Sequence, residues 1–215
     1  TANQSLTTTG TGTIALAGGS VRMEGTGQLT TGPGVTIRGF GEVGRAVIQT
    51  GQYTWINNGT VTADVAGQTL SLLQPGNGGQ PIQNNGTLSA ANGGTLLLSA
   101  NVVGAPTSQI SAAAGSVVQM NGVTIAGTLN TSGSGSFRAS NVTSNLLSGV
   151  TLNGNVDLAS QPSQLRISDG LALNGTIGVA SGSQLYLDNR TTANQSLTTT
   201  GTGTIALSGG SVRME

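Results

Sequence analysis

Seven carboxylates are the side chains best placed by type to act as general acids or bases here: Glu24, Glu42, Asp64, Asp157, Asp169, Asp188 and Glu215. Histidine and cysteine are absent, which removes an imidazole base, a thiolate nucleophile and zinc sites built from the usual ligands. Acid/base chemistry on a glycan would need two carboxylates on neighbouring segments. Only Asp157 and Asp169 are close enough in sequence for that. Asp157 is expected to face solvent opposite Arg166 on the paired strand of its own turn, as a surface ion pair. No catalytic residues are nominated, and the chain is not expected to be an enzyme. Neither the Asp-bearing nonapeptide that loads Ca²⁺ into some β-rolls nor an EF-hand loop occurs, so no metal and no cofactor is expected.

Charge and composition remove further classes. Only 7% of the residues are charged, and seven arginines are scattered among as many acids, so no basic footprint for nucleic acid is present. A disordered chain would combine high net charge with few apolar residues, whereas here 35% are hydrophobic and the net charge is zero. The 36 glycines do not fall at every third position, which excludes collagen. The longest apolar runs, such as residues 96–98, are far shorter than the ~18 residues that span a bilayer, so no membrane insertion by this segment is expected.

The elements that must position these side chains repeat. Residues 1–24 recur as residues 192–215, with Ala17 replaced by Ser208 as the one difference. The chain is therefore read as one unit, residues 1–191, followed by the start of the next, residues 192–215, within a longer array. A shorter repeat lies inside: GTIALAGGSVRM from Gly12, GTVTADVAGQTLSL from Gly59, GTLSAANGGTLLL from Gly86, SQISAAAGSVVQM from Ser108 and GTLNTSGSGSFRA from Gly127. GNVDLASQPSQLRI from Gly154, GTIGVASGSQLYL from Gly175 and GTIALSGGSVRM from Gly203 continue it.

Each copy reads as strand, tight turn, strand, because apolar residues alternate with polar ones on both sides of a Gly/Ser/Ala breaker. The alternation points Ile14, Leu16, Val21 and Met23 inward, as it does Val61, Ala63, Leu70 and Leu72. Leu129, Thr131, Phe137 and Ala139 are aligned on the same four positions, and so are Val156, Leu158, Leu165 and Ile167. Segments such as GVTIAG from Gly122, GVTLNG from Gly149 and GLALNG from Gly170 supply a third strand, commonly closed by Asn-Gly, which tolerates positive φ. The expected architecture is all-β: a right-handed parallel β-helix with three short strands per turn. One turn has too little core to offset the ordering of its backbone, so turns must stack, and stability should grow with their number. About nine turns spaced ~4.8 Å apart would make each unit about 43 Å of rod.

Residues 85–90, Asn-Gly-Thr-Leu-Ser-Ala, followed by Gly-Gly-Thr-Leu-Leu-Leu, and residues 29–39, Leu-Thr-Thr-Gly-Pro-Gly-Val-Thr-Ile-Arg-Gly, resemble the repeats of filamentous-haemagglutinin-like and autotransporter-type giant bacterial surface proteins. The resemblance implies a secreted β-helix serving as a stalk, fibre or adhesin shaft, extracellular at the cell surface, with no catalytic residues. The partner expected first is the chain itself, through end-to-end continuation of the array and lateral self-assembly. The alternative is an adhesin whose loops bind a glycan or cell-surface ligand.

Residues 38–55 depart from the repeat and hold Arg38, Phe40, Arg45, Tyr53 and Trp55. Exposed aromatics and arginines are enriched at contact sites, so these five are a candidate contact surface. The competing expectation is that the rings fill a widened turn of the core. The Pro- and Gly-rich residues 74–83 are expected to bulge from the shaft as a loop. The Thr-rich residues 7–13 suggest an ice-binding ladder, but outward positions change from turn to turn, which disfavours it.

Overall fold

The computed structural model of the chain describes residues 4–46, 51–76, 80–188 and 195–215, and among these every regular element is a β-strand. The strands wind into one parallel β-solenoid of about nine turns. Each turn lays one strand on each of three faces.

The first face stacks Gln4–Thr7, Gly27–Thr31, Tyr53–Asn57, Ile82–Asn84, Val102–Gly104 and Thr124–Ala126. It continues through residues 146–148 and 164–168 to Gln184–Leu187 and Ser211–Met214. The second face starts with residues 11–17 and runs through 36–39, Thr60–Ala63, Thr87–Ala90, Gln109–Ala112 and Thr128–Thr131. Residues 150–152 and 171–173 then lead to Leu197–Thr198. The third face starts with residues 20–23 and 41–43 and then stacks Thr69–Leu73, Thr95–Ser99, Val117–Met120 and Ser136–Ala139. Asn155–Leu158, Thr176–Ala180 and Thr204–Ser208 complete it.

Alternation along each strand sends every second side chain inward. Parallel registry then stacks like on like: Ile37, Val61, Leu88, Ile110 and Leu129 follow one another up the second face, each at most 1% exposed. Backbone N–H and C=O groups pair with the turns above and below, which satisfies them along the shaft. Corners need close approach. A Cβ on Gly86 would overlap the carbonyl oxygen of Gly59 in the preceding turn, so only glycine lets these corners nest.

Four expectations are corrected. Ile14, read as core lining, stacks on Ile37 but is 37% exposed, because it belongs to the first turn and has a neighbour on one side only. At the other end Leu207 and Met214 are 56% and 87% exposed for the same reason. Residues 38–45 do not depart from the repeat. Gly34–Arg45 is a regular strand, disguised because Gly39 and Gly41 stand in register with Leu16 and Leu70. The loop expected at residues 74–83 is shorter, since the strand Ile82–Asn84 begins within it; residues 77–79 lie outside the described residues.

The fourth correction concerns phase. Leu129 stacks on Leu152 and Phe137 on Val156, whereas aligning the copies pairs Leu129 with Val156 and Phe137 with Leu165. The cause is a strand that the repeat does not announce, residues 146–148 on the first face. Asn145 builds its entry turn. Its buried amide donates to the carbonyls of Ser140 (2.8 Å), Val142 (3.1 Å) and Gln164 (3.1 Å), and its Oδ1 accepts from the Gly122 amide at 2.7 Å. The boundary between residues 191 and 192 lies outside the described residues.

Candidate functional site

The lateral surface is organised by contacts that run along the axis, from one turn to the next. Arg22 pairs with Glu42, and Arg38 Nη2 lies 2.5 Å from Asp64 Oδ2. Arg138 Nε donates to Asp157 Oδ2 at 3.1 Å. Arg166 Nη1 reaches both Asp188 (3.1 Å) and Glu215 (2.6 Å). The expected partner of Asp157, Arg166, is thus replaced by Arg138. Residues paired in parallel register lie about 4.8 Å apart, closer than the two outer strands of a single turn can come. Arg166 also stacks on the Tyr186 ring, 4.4 Å from its centroid, with Arg213 at 5.9 Å on the same ring.

Asparagines form a second set of rungs. Asn153 Nδ2 donates to Asn130 Oδ1, and Asn174 Nδ2 donates to Asn153 Oδ1, each at 3.0 Å. The ladder ends on the Thr200 amide and hydroxyl, which donate to Asn174 Oδ1. The Asn-Gly corners visible in the sequence signalled Asn153 and Asn174, but not Asn130, which precedes Thr131, nor their mutual hydrogen bonds. The Arg166–Tyr186–Arg213 stack left no such signal, because its members belong to three different copies.

The five residues of the candidate contact surface are divided by the fold. Trp55 is fully buried, with its indole Nε1 donating to Thr31 Oγ1 at 3.1 Å, and Tyr53 is 8% exposed. Both rings belong to the inner lining of the first face. Arg38, Phe40 and Arg45 remain at the surface along the strand Gly34–Arg45. Arg45 borders a depression of about 290 Å³ with Leu73, Gln74 and Ser99, and its carbonyl accepts from Arg22 Nη1.

Most of the carboxylates lie in ion pairs or corner hydrogen bonds. Asp157 sits on the third face, while Asp169 occupies a corner with φ 59° and accepts from Ser148 Oγ (2.5 Å) and Ser168 Oγ (2.9 Å). The two do not share a face. Partial burial opposes ionisation of Asp157. Hydrogen bonds from the Ser160 hydroxyl and the Ala159 and Ser160 amides, with the Arg138 charge, outweigh that and hold its carboxyl below the ordinary value. Among the described residues, no group of three or more acids gathers as a metal site would require.

No family model, no curated protein and no solved structure matches the chain.

Proposed function

We propose that residues 1–191 are one unit, and residues 192–215 the start of the next, in a long extracellular fibre or stalk at a bacterial cell surface. The shaft would act mechanically, as a spacer that lengthens turn by turn. One observation carries this reading: the two copies of the repeated segment supply the two halves of a joint. The first copy is packed against the turn on its C-terminal side, with Ile14 stacked on Ile37, Val21 on Val43 and Arg22 bonded to Glu42. The second copy is packed against the turn on its N-terminal side, with Ile205 stacked on Ile177 and Val212 on Leu185, and Glu215 reaches back two turns to Arg166. Superposing the copies joins two units through contacts that this chain already makes, with no new interface to build. Open strand edges favour such continuation, because they present unpaired N–H and C=O groups.

In this reading the chain is not an enzyme: Glu42, Asp64, Asp157, Asp188 and Glu215 are held in ion pairs between turns, and Asp169 in a corner turn. Its partner is another unit of itself. Placement at the cell surface rests on the resemblance of its repeats to bacterial surface proteins.

Tandem chains of one, two and three units, imaged by negative-stain electron microscopy, test the shaft. Rods of constant width should lengthen by about 40 Å per added unit. Particles that do not lengthen would overturn the reading. Immunogold labelling of intact cells with an antibody to the shaft tests its location, and label seen only after lysis would remove the surface role.

A further inference from the structure

The repeated segment does not return to the face on which it began. Leu6 lies on the first face and its copy Leu197 on the second. Ile14 lies on the second face and its copy Ile205 on the third, while Val21 on the third is copied by Val212 on the first. Nine successive strands of the first face, from Gln4–Thr7 to Gln184–Leu187, mark eight turns, and the segment restarts one face later. The 191-residue unit therefore spans eight turns and one third.

The odd third has an identified source. Up to Thr128–Thr131 the first strand of each copy lies on the second face; from Asn155–Leu158 onward it lies on the third. The change falls where residues 146–148 insert an extra strand behind Asn145. Without that strand the unit would close on eight whole turns, and its copies would line up.

Resting on the proposed continuation of the array, we infer that each unit is turned by one face relative to the unit before it. Three units make 25 whole turns before a lateral residue recurs on the same side of the rod. Every outward group, such as the guanidinium of Arg38 or the asparagine ladder at Asn130, Asn153 and Asn174, is thus delivered in three directions by three successive units.

The absence of cysteine makes the phase directly testable in the 215-residue chain. Parallel neighbours in register fall within the Cα separation that a disulfide bridges. Under the offset, the pair Asn130→Cys with Asn153→Cys should form a disulfide under mild oxidation, and the pair Asn130→Cys with Asp157→Cys should not. The reverse result, or failure of both pairs in a folded chain, overturns the inference.

Its consequence is read in tandem chains of three units with Ser111→Cys carrying a gold label in each. Labels at three azimuths along one rod support it, and labels in line along one side overturn it. Rods that lengthen but show aligned labels would defeat the offset alone, whereas chains that form no rods would defeat the fibre reading beneath it.

Discussion

The side-chain amide of Asn57 donates to Oδ1 of Asn84 at 2.8 Å, between two residues that are both fully buried. Asn84 passes the bonding on by donating to the Gln109 carbonyl at 3.2 Å. Two polar side chains are thus tolerated in the core at a position where successive turns stack, because both amide nitrogens and Asn84 Oδ1 are hydrogen-bonded. Replacing Asn84 by Ala removes the acceptor for Asn57 and leaves a buried donor with the weaker Thr87 carbonyl, 3.3 Å away. A loss of about 1–3 kcal/mol is expected, measured by denaturant unfolding followed by circular dichroism.

Glycines at corners divide into two kinds that a single substitution separates. In Gly86 an added Cβ would strike the backbone of Asn58 and Gly59, which cannot swing away, so Gly86→Ala should cost about 3 kcal/mol or prevent folding. Gly115 has φ 73° but open space around it, so Gly115→Ala should cost about 1–2 kcal/mol from backbone strain alone. Equal losses in thermal unfolding would show that steric nesting of turns is not what the corner glycines provide.

Trp55 is the one tryptophan of the chain and reports on the core without a label. Being fully buried, it should emit in the blue and resist acrylamide quenching, and both properties should vanish together on unfolding. Trp55→Ala should cost about 3–5 kcal/mol. A red-shifted, readily quenched emission from the folded chain would instead place this ring at a contact surface.

Asp157 predicts a direction with pH. Its folded-state value is lowered, so its contribution is present above the unfolded value, near 3.9, and is lost as pH falls through the folded value. The group is partly buried but still reached by solvent, and its partner Arg138 is too, so the effect should be small. The difference in melting temperature between the parent chain and Asp157→Asn should shrink as pH drops from about 5 toward 2. A difference that stays constant or grows on acidification would show that the Arg138, Ala159 and Ser160 contacts do not favour the ionised form.

The inner lining was legible wherever alternation was unbroken: Val61, Leu88, Ile110 and Ile177 are all buried as the pattern requires. It became illegible where glycine occupies a lining position, as at Gly39 and Gly41, since a residue with no side chain carries no alternation signal. Residues 146–148 were missed for a different reason. Their register is set by the buried side chain of Asn145, a tertiary contact that local pattern does not encode. Pairing across turns was equally hidden, because Arg138 and Asp157 are 19 residues apart and only the winding brings them together. Tyr53 and Trp55 drew attention as rare aromatics, and their burial follows from the same alternation that fixes Leu29 and Ile82 beside them.

The exposed C-terminal edge tests whether this chain selects its own continuation. Thr204–Ser208 and Ser211–Met214 leave Leu207 and Met214 uncovered, yet their copies in Thr11–Met23 are covered by Gly34–Arg45. Appending a copy of residues 25–46 after Glu215 should seat Ile37, Val43 and Glu42 of the copy on Ile205, Val212 and Arg213. Amide hydrogen exchange over residues 204–214 should then slow by about tenfold or more, because those N–H groups gain strand partners and the apolar edge gains a lid. A scrambled extension of equal composition should give no protection, since register depends on which residues alternate inward. Protection by both extensions would mean that any added chain covers the edge, and the repeated segment would then not be the determinant of the joint.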